Sequence, residues 1–212
     1  MKKLLLLFIF LMPLALFAKF YDGQIIYKNG KTVDLQISFP LNPTAKKLKV
    51  KIDGKTQKLV ADEIAYFTVA IDKGNSTFLF RRVQIGSIDK NGNLKKLRKG
   101  NRGWAIVEKA YKNTIIYDVG TKYGVKKVKG TERMVRVYEA GMDANLIGKP
   151  DEDIAFVMFD ASKWALRIGL KRAEKYLFDK CPDFTEKINV KEMGRRDVVY
   201  QIAEFYDECA EN

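Results

Sequence analysis

The chain predicts an α+β fold, mainly β: an antiparallel barrel-like roll or sandwich followed by a C-terminal helical segment. Three observations carry this. Apolar and polar residues alternate in short runs as far as residue 159, and turn-forming pairs such as Asn29-Gly30, Asp53-Gly54 and Asn91-Gly92 separate those runs. After residue 160 the apolar spacing becomes that of a helix. The connections are short, which favours antiparallel neighbours, and no helical stretch lies between the strands as parallel α/β layering would require.

The first residues read as an address rather than as part of the fold. Lys2 and Lys3, the apolar run Leu4 to Phe17 and the small Ala18 have the layout of a secretory signal cleaved after residue 18. An uncleaved anchor is the alternative. That run, however, is short of the roughly 20 apolar residues that span a bilayer, and Pro13 interrupts it. No cysteine follows it to take a lipid, and nothing later is apolar for long enough to cross a membrane. The expectation is a periplasmic or secreted protein with a β domain over 19–159 and a helical segment over 160–212 packed on it.

Gly23 to Ser38 is the most legible element. A two-residue loop at Asn29-Gly30 would scatter the apolar residues over both faces. A three-residue loop, Lys28-Asn29-Gly30 with Gly30 left-handed, sets Ile25 opposite Val33 and gathers Tyr27, Leu35 and Ile37 on the same side. Leu48, Val50 and Ile52 alternate up to Asp53-Gly54, where a two-residue loop puts Leu59 opposite Leu48. Ile64 to Ala70 and Thr77 to Ile85 are rich in aromatic and β-branched residues and should pair across a turn at Asp72 to Ser76. A slip of alternation at Gly86 suggests a bulge before the Asn91-Gly92 turn.

Trp104 to Tyr111 and Thr114 to Val119 form a further pair with its corner at Lys112-Asn113, Arg133 to Glu139 repeats the alternation, and Ile154 to Phe159 closes the series. Nine or ten strands result. Leu166, Leu170, Ala173, Leu177 and Cys181 then mark the buried stripe of a surface-docked helix. Lys163, Arg167, Lys171 and Lys175 line another side of it, and Asp160 or Ser162 caps it. Pro182 to Ile188 suits a short helix with Pro182 at its first position, and a last helix runs from about Arg195 to Cys209.

Cys181 and Cys209 both continue the apolar stripes of their helices. A plain antiparallel pair would hold them apart, whereas a return helix through 182–194 would join them, so the choice lies between a disulfide and two buried thiols. An oxidising compartment favours the bridge.

The chain has no histidine, which removes Ser-His-Asp and Cys-His nucleophilic schemes and the commonest zinc ligand, and two distant cysteines make no thiolate metal site. Asp89, Asn91 and Asn93 resemble half a calcium loop, but Leu94 stands where its glycine belongs and Gly100 where its glutamate belongs, so a turn is the reading. No phosphate-cradling glycine motif occurs, Ser162-Lys163 lacks the spacing of serine-lysine acylases, and Asp151, Glu152 and Asp153 read as solvated loop acids. No cofactor or metal is expected.

Charge is the remaining signal. The formal net charge is +13, from 39 basic and 26 acidic residues, and export directs it to lipid head groups, anionic glycans or acidic proteins in preference to nucleic acid. Two tracts stand out: Lys95, Lys96, Arg98, Lys99 and Arg102, then Lys122, Lys126, Lys127 and Lys129. They are either solvated loops or, with Trp104 and Tyr111 between them, one contact for an anionic partner.

The Gly23, Ile25, Asn29, Gly30, Thr32 opening, a tryptophan-led strand pair near residue 104 and a tail carrying Cys181-Pro182 and Cys209 resemble exported proteins of unknown function in Gram-negative bacteria. The resemblance spans most of the chain after residue 18. It implies a compartment and a β-then-α layout and transfers no activity. The expected function is therefore a non-enzymatic binding or envelope-associated protein, with a hydrolase acting on an envelope polymer through unidentified carboxylates as the alternative.

Overall fold

The computed structural model describes residues 18–95, 102–137, 145–157, 162–193 and 197–211. The expected leader lies outside them, apart from Ala18. Among the described residues there are twelve strands: β1 (Lys19–Tyr27), β2 (Thr32–Phe39), β3 (Lys47–Ile52), β4 (Lys55–Val60), β5 (Ile64–Ile71), β6 (Ser76–Gly86), β7 (Arg102–Ala110), β8 (Ile115–Asp118), β9 (Lys122–Val128), β10 (Thr131–Val137), β11 (Asn145–Gly148) and β12 (Ile154–Val157). Three helices follow: α1 (Lys163–Leu177), α2 (Phe184–Lys187) and α3 (Val198–Glu211).

The first hairpin has the register its hydrophobic pattern demands. Ile25 pairs with Val33, Tyr27 N donates to Lys31 O at 2.9 Å, and Gly30 has φ +84° while Asn29 is not among the positive-φ residues. Asp53 and Gly54, at φ 48° and 75°, form the two-residue turn that sets Leu48 opposite Leu59. The pairing of β5 with β6 and of β7 with β8 likewise follows expectation. β9 and β11 were not foreseen, which is why the count of nine or ten fell short.

β6 is the hinge of the architecture. Its first half pairs with β5, continuing an open sheet in the order β4-β3-β2-β1-β5, and its second half pairs with β7. The ring β6-β7-β8-β11-β12 then closes back on β6, so five strands form a barrel with no free edge. Every pair in that ring is antiparallel except β12 with β6. An odd number of alternating strands cannot close otherwise: the first and fifth point the same way. Parallel pairing here arises from parity and needs no crossover helix. Gly86 sits at the seam as the last residue of β6, paired with Phe156, and the bulge suggested there is replaced by strand closure. A Cβ at Gly86 would lie 2.7 Å from Ile154 Cγ2 and from Phe156 Cε1, so only glycine admits β12 this closely.

Alternation along the ring serves three cores. Val83, Ala105, Ile115, Tyr117, Leu146 and Ala155 point into the barrel. Phe80, Trp104 and Ile106 face outward into the core of the open sheet, where Phe67 stacks on Phe80 at 4.7 Å between centroids. Ile116, Ile147 and Phe156 face outward on the far side and meet the helices. The helical tail thus completes the coat of the barrel.

Ser162 Oγ accepts from Ala165 N at 3.1 Å and caps α1; Asp160 lies outside the described residues. Pro182 precedes the short helix instead of opening it, because Asp183, left-handed at φ 56°, intervenes. Residues 182–193 fold back as expected, and Cys181 and Cys209 are joined in a disulfide with Cα atoms 5.6 Å apart. No helix among the described residues is long and apolar enough to cross a membrane.

Candidate functional site

The most distinctive surface of the molecule is the outer face of α1. Leu166, Leu170, Ala173 and Leu177 are buried against the barrel. On the opposite side Trp164, Ile168, Lys171 and Lys175 follow one another at spacings of four, three and four, which aligns them along one line of a helix. Lys163, Arg167 and Arg172 flank that line. Trp164 is 75% exposed, more than any other large hydrophobic residue described.

The acidic count matters as much as the basic one. Glu174 is the only acid in α1, and it is turned to structural use: its carboxylate accepts from Thr185 N at 3.3 Å and from Thr185 Oγ1 at 2.9 Å. Among the described residues no ion pair uses a cation of α1. Lys163 donates to Lys191 O and Lys175 to Asn93 Oδ1, neutral oxygens that leave both charges uncancelled.

A cleft lies on each flank of this helix. One, about 580 Å³, opens between α1 and residues 185–191 and is lined by Trp164, Lys163, Arg167, Lys187 and Lys191 against a single acid, Glu186. The other, about 400 Å³, opens toward the 89–93 turn and is lined by Lys90, Ile168, Lys171, Arg172 and Lys175 with no acid. Within that turn Asp89 Oδ1 accepts from Asn91 N at 2.8 Å and Asn93 N at 3.0 Å, and these backbone donors hold its carboxyl below the usual range. No group of three or more metal-ligating side chains occurs among the described residues.

The two predicted basic tracts fare differently. Lys95 is exposed beyond the 89–93 turn, which touches α1 through Gly92 and Lys175. Lys96, Arg98 and Lys99 lie outside the described residues. Arg102 opens β7 with its guanidinium 3.7 Å from Asp153. The second tract is no loop: Lys122, Lys126 and Lys127 belong to β9, and Lys129 forms the turn to β10 with Gly130, both at positive φ. Lys122 and Lys126 share the outer face of the hairpin with Arg133 and the exposed Val128 and Val137, while Lys127 shares the opposite face with Glu132.

Of the two aromatics between the tracts, one is buried and the other is half-buried and engaged by the helical tail. Trp104 is fully buried against Phe67, and the Tyr111 hydroxyl donates to Glu204 at 3.0 Å. Trp164 was the residue missed. Its signal was in the sequence, four positions before Ile168 on the side opposite the leucine stripe, but a helix read for its core residues does not display what its other side leaves in water.

Two further clusters turn inward. Arg136 of β10 pairs with both Glu108 of β7 and Asp118 of β8. Burial pushes Glu108 up, Arg136 opposes this, and hydrogen bonding to Asp118 adds to the rise. At the barrel mouth a cleft of about 500 Å³ is lined by Tyr66, Leu79, Val107 and Ile115. Its Arg81 donates to Pro150 O at 2.8 Å and Glu152 O at 3.2 Å, so that cation anchors the loop before β12.

Compared with known proteins, the chain matches no family, no curated protein and no solved structure, so no function can be carried over to it by similarity.

Proposed function

We propose that this is an exported, non-enzymatic binding protein that associates with an anionic component of the cell envelope. The observation that carries this is the outer face of α1: five cations, Lys163, Arg167, Lys171, Arg172 and Lys175, with no ion-pair partner among the described residues, along a helix whose first turn presents an exposed tryptophan. A surface kept for solubility alone mixes both signs and does not present Trp164 to water. Lys90, Lys187 and Lys191 line the clefts beside the helix and extend the same positive field, and Lys95 is exposed just beyond the 89–93 turn. The basic tracts foreseen in the sequence contribute through Lys95, and the β9–β10 hairpin is a secondary positive surface.

The alternative is a hydrolase acting on an envelope polymer. Its best pair is Glu108 and Asp118, whose carboxyls hydrogen-bond each other and share Arg136. Groups in mutual contact are closer than the about 5 Å that even the tighter class of glycosidase needs between its two carboxyls. The pair serves better as a clamp holding β10 to the barrel.

Titration with anionic vesicles and with a sulfated glycan at about 0.1 M and about 1 M salt tests the reading, because screening lengths of about 10 and 3 Å separate electrostatic from other contacts. Binding to at least one of them should weaken at least tenfold at high salt. Binding that ignores salt, or no binding to either, rejects it.

A further inference from the structure

Building on the proposed anionic binding, we infer that the α1 face docks on a bilayer surface containing anionic phospholipid, with Trp164 and Ile168 seated in the interfacial layer and the surrounding cations on the head groups. The arrangement itself selects this occupant. Trp164 and Ile168 are one turn apart on the outward line of the helix, and Lys163, Arg167, Lys171 and Arg172 stand around them. An apolar centre within a cationic rim fits a surface that is charged at its plane and apolar just beneath.

A soluble polyanion would satisfy the cations and leave the centre unused. Trp164 has a face on which a sugar ring can stack, but Ile168 has none, and it lines the acid-free cleft beside Lys171 and Arg172. Tryptophan prefers the water-lipid boundary because its large ring is apolar and its N–H is not. Lysine and arginine suit the rim because their long stems lie along apolar surface while their charges remain among phosphates. The opposite stripe of α1 is fully engaged with the barrel, so the helix docks as a rigid ridge.

The two tryptophans make the test direct. Trp104 is fully buried and supplies a constant background, so any lipid-dependent change in emission reports Trp164. The full chain after residue 18 is mixed with vesicles of phosphatidylcholine alone or of phosphatidylcholine and phosphatidylglycerol in equal parts. The expected result is a blue shift and quenching by acyl-chain-brominated lipid with the mixed vesicles only. In sedimentation, Lys171→Gln with Arg172→Gln should weaken vesicle binding about tenfold or more, at roughly fivefold per cation removed. Trp164→Ala should weaken it severalfold, with far-UV circular dichroism unchanged.

Equal binding to both vesicle types, or binding to mixed vesicles without quenching, overturns the interfacial seating. Retention by a sulfated glycan with no vesicle binding also overturns it and leaves the broader anionic reading intact. Failure to bind glycan and vesicle alike removes both.

Discussion

The inner face of the β9–β10 hairpin and the outer face of α1 both carry cations and use them in opposite ways, while Lys122, Lys126 and Arg133 on the outer face of the hairpin have no ion-pair partner among the described residues. On the hairpin, Arg136 is shared between Glu108 and Asp118, Glu132 holds Lys19, and Lys127 lies across from Glu132. Arg136 fastens the two-stranded ribbon to the barrel and Glu132 fastens it to β1 of the open sheet, with Tyr123, Val125 and Met134 packed into the open-sheet core beneath it. On α1 the fastening is done by leucines and by the disulfide beyond its C-terminal end, and the cations are left unneutralised. Basic residues in sequence are therefore a poor guide to a basic surface. What distinguishes the two is where the acids stand.

The sharpest way to break the comparison is to remove a hairpin charge that the fold depends on. Arg136→Leu should cost about 3 kcal/mol, because it deprives the buried Asp118 carboxyl, and the partly exposed Glu108 beside it, of the cation they share. The loss has a pH signature. Glu108 is already raised by burial, and without Arg136 it rises further, so its protonated form fits the fold better than its ionised form. The variant should recover stability relative to the parent as pH falls from 7 toward 5, and lose it again as pH rises through the raised carboxyl range. Paired thermal melts across that interval check this. A deficit that does not change with pH would mean that Arg136 contributes packing rather than charge.

The fold was legible wherever a local rule had one solution. Ile25, Leu35 and Ile37 admit a single hairpin register, and Asp53-Gly54 admits a single turn. β9 was not legible, because Lys122, Lys126 and Lys127 lie on both faces and obscure the alternation of Tyr123 and Val125. β11 offers only four residues. Barrel closure could not be read either, since the partner of β12 is β6, about seventy residues earlier, and that contact depends on strand parity and on the missing side chain of Gly86. For the site, the cationic side of α1 was visible from its spacing. The fate of each acid was not: whether Glu174 neutralises a lysine or turns to Thr185 is decided by a return loop that the spacing of α1 does not describe.

A second effect, of similar order, concerns how α1 is held. The bridge closes a loop spanning 28 residues, which includes the turn and α2. Cys181→Ser with Cys209→Ser should cost about 3 kcal/mol by chain-entropy reasoning, seen as a lower denaturant midpoint. If charge rather than covalent and apolar contact held this region, added salt would destabilise it; we expect salt to leave the midpoint of the parent nearly unchanged on this account. A large salt effect confined to the disulfide variant would show that ion pairs carry more of the helical segment than its geometry suggests.

The smallest expected effect on stability is the most informative about function. Lys171→Gln with Arg172→Gln should change unfolding free energy by no more than about 0.5 kcal/mol, the range typical of surface positions without partners. The direction should be slightly stabilising, since the substitutions relieve repulsion among five cations on one helix that has only Glu174 to offset them. Residues present at a cost to the fold, or at no benefit to it, are the ones the fold does not explain. If the double variant were instead destabilised by more than about 1 kcal/mol, these cations would be structural after all, and α1 would differ from the hairpin in appearance only.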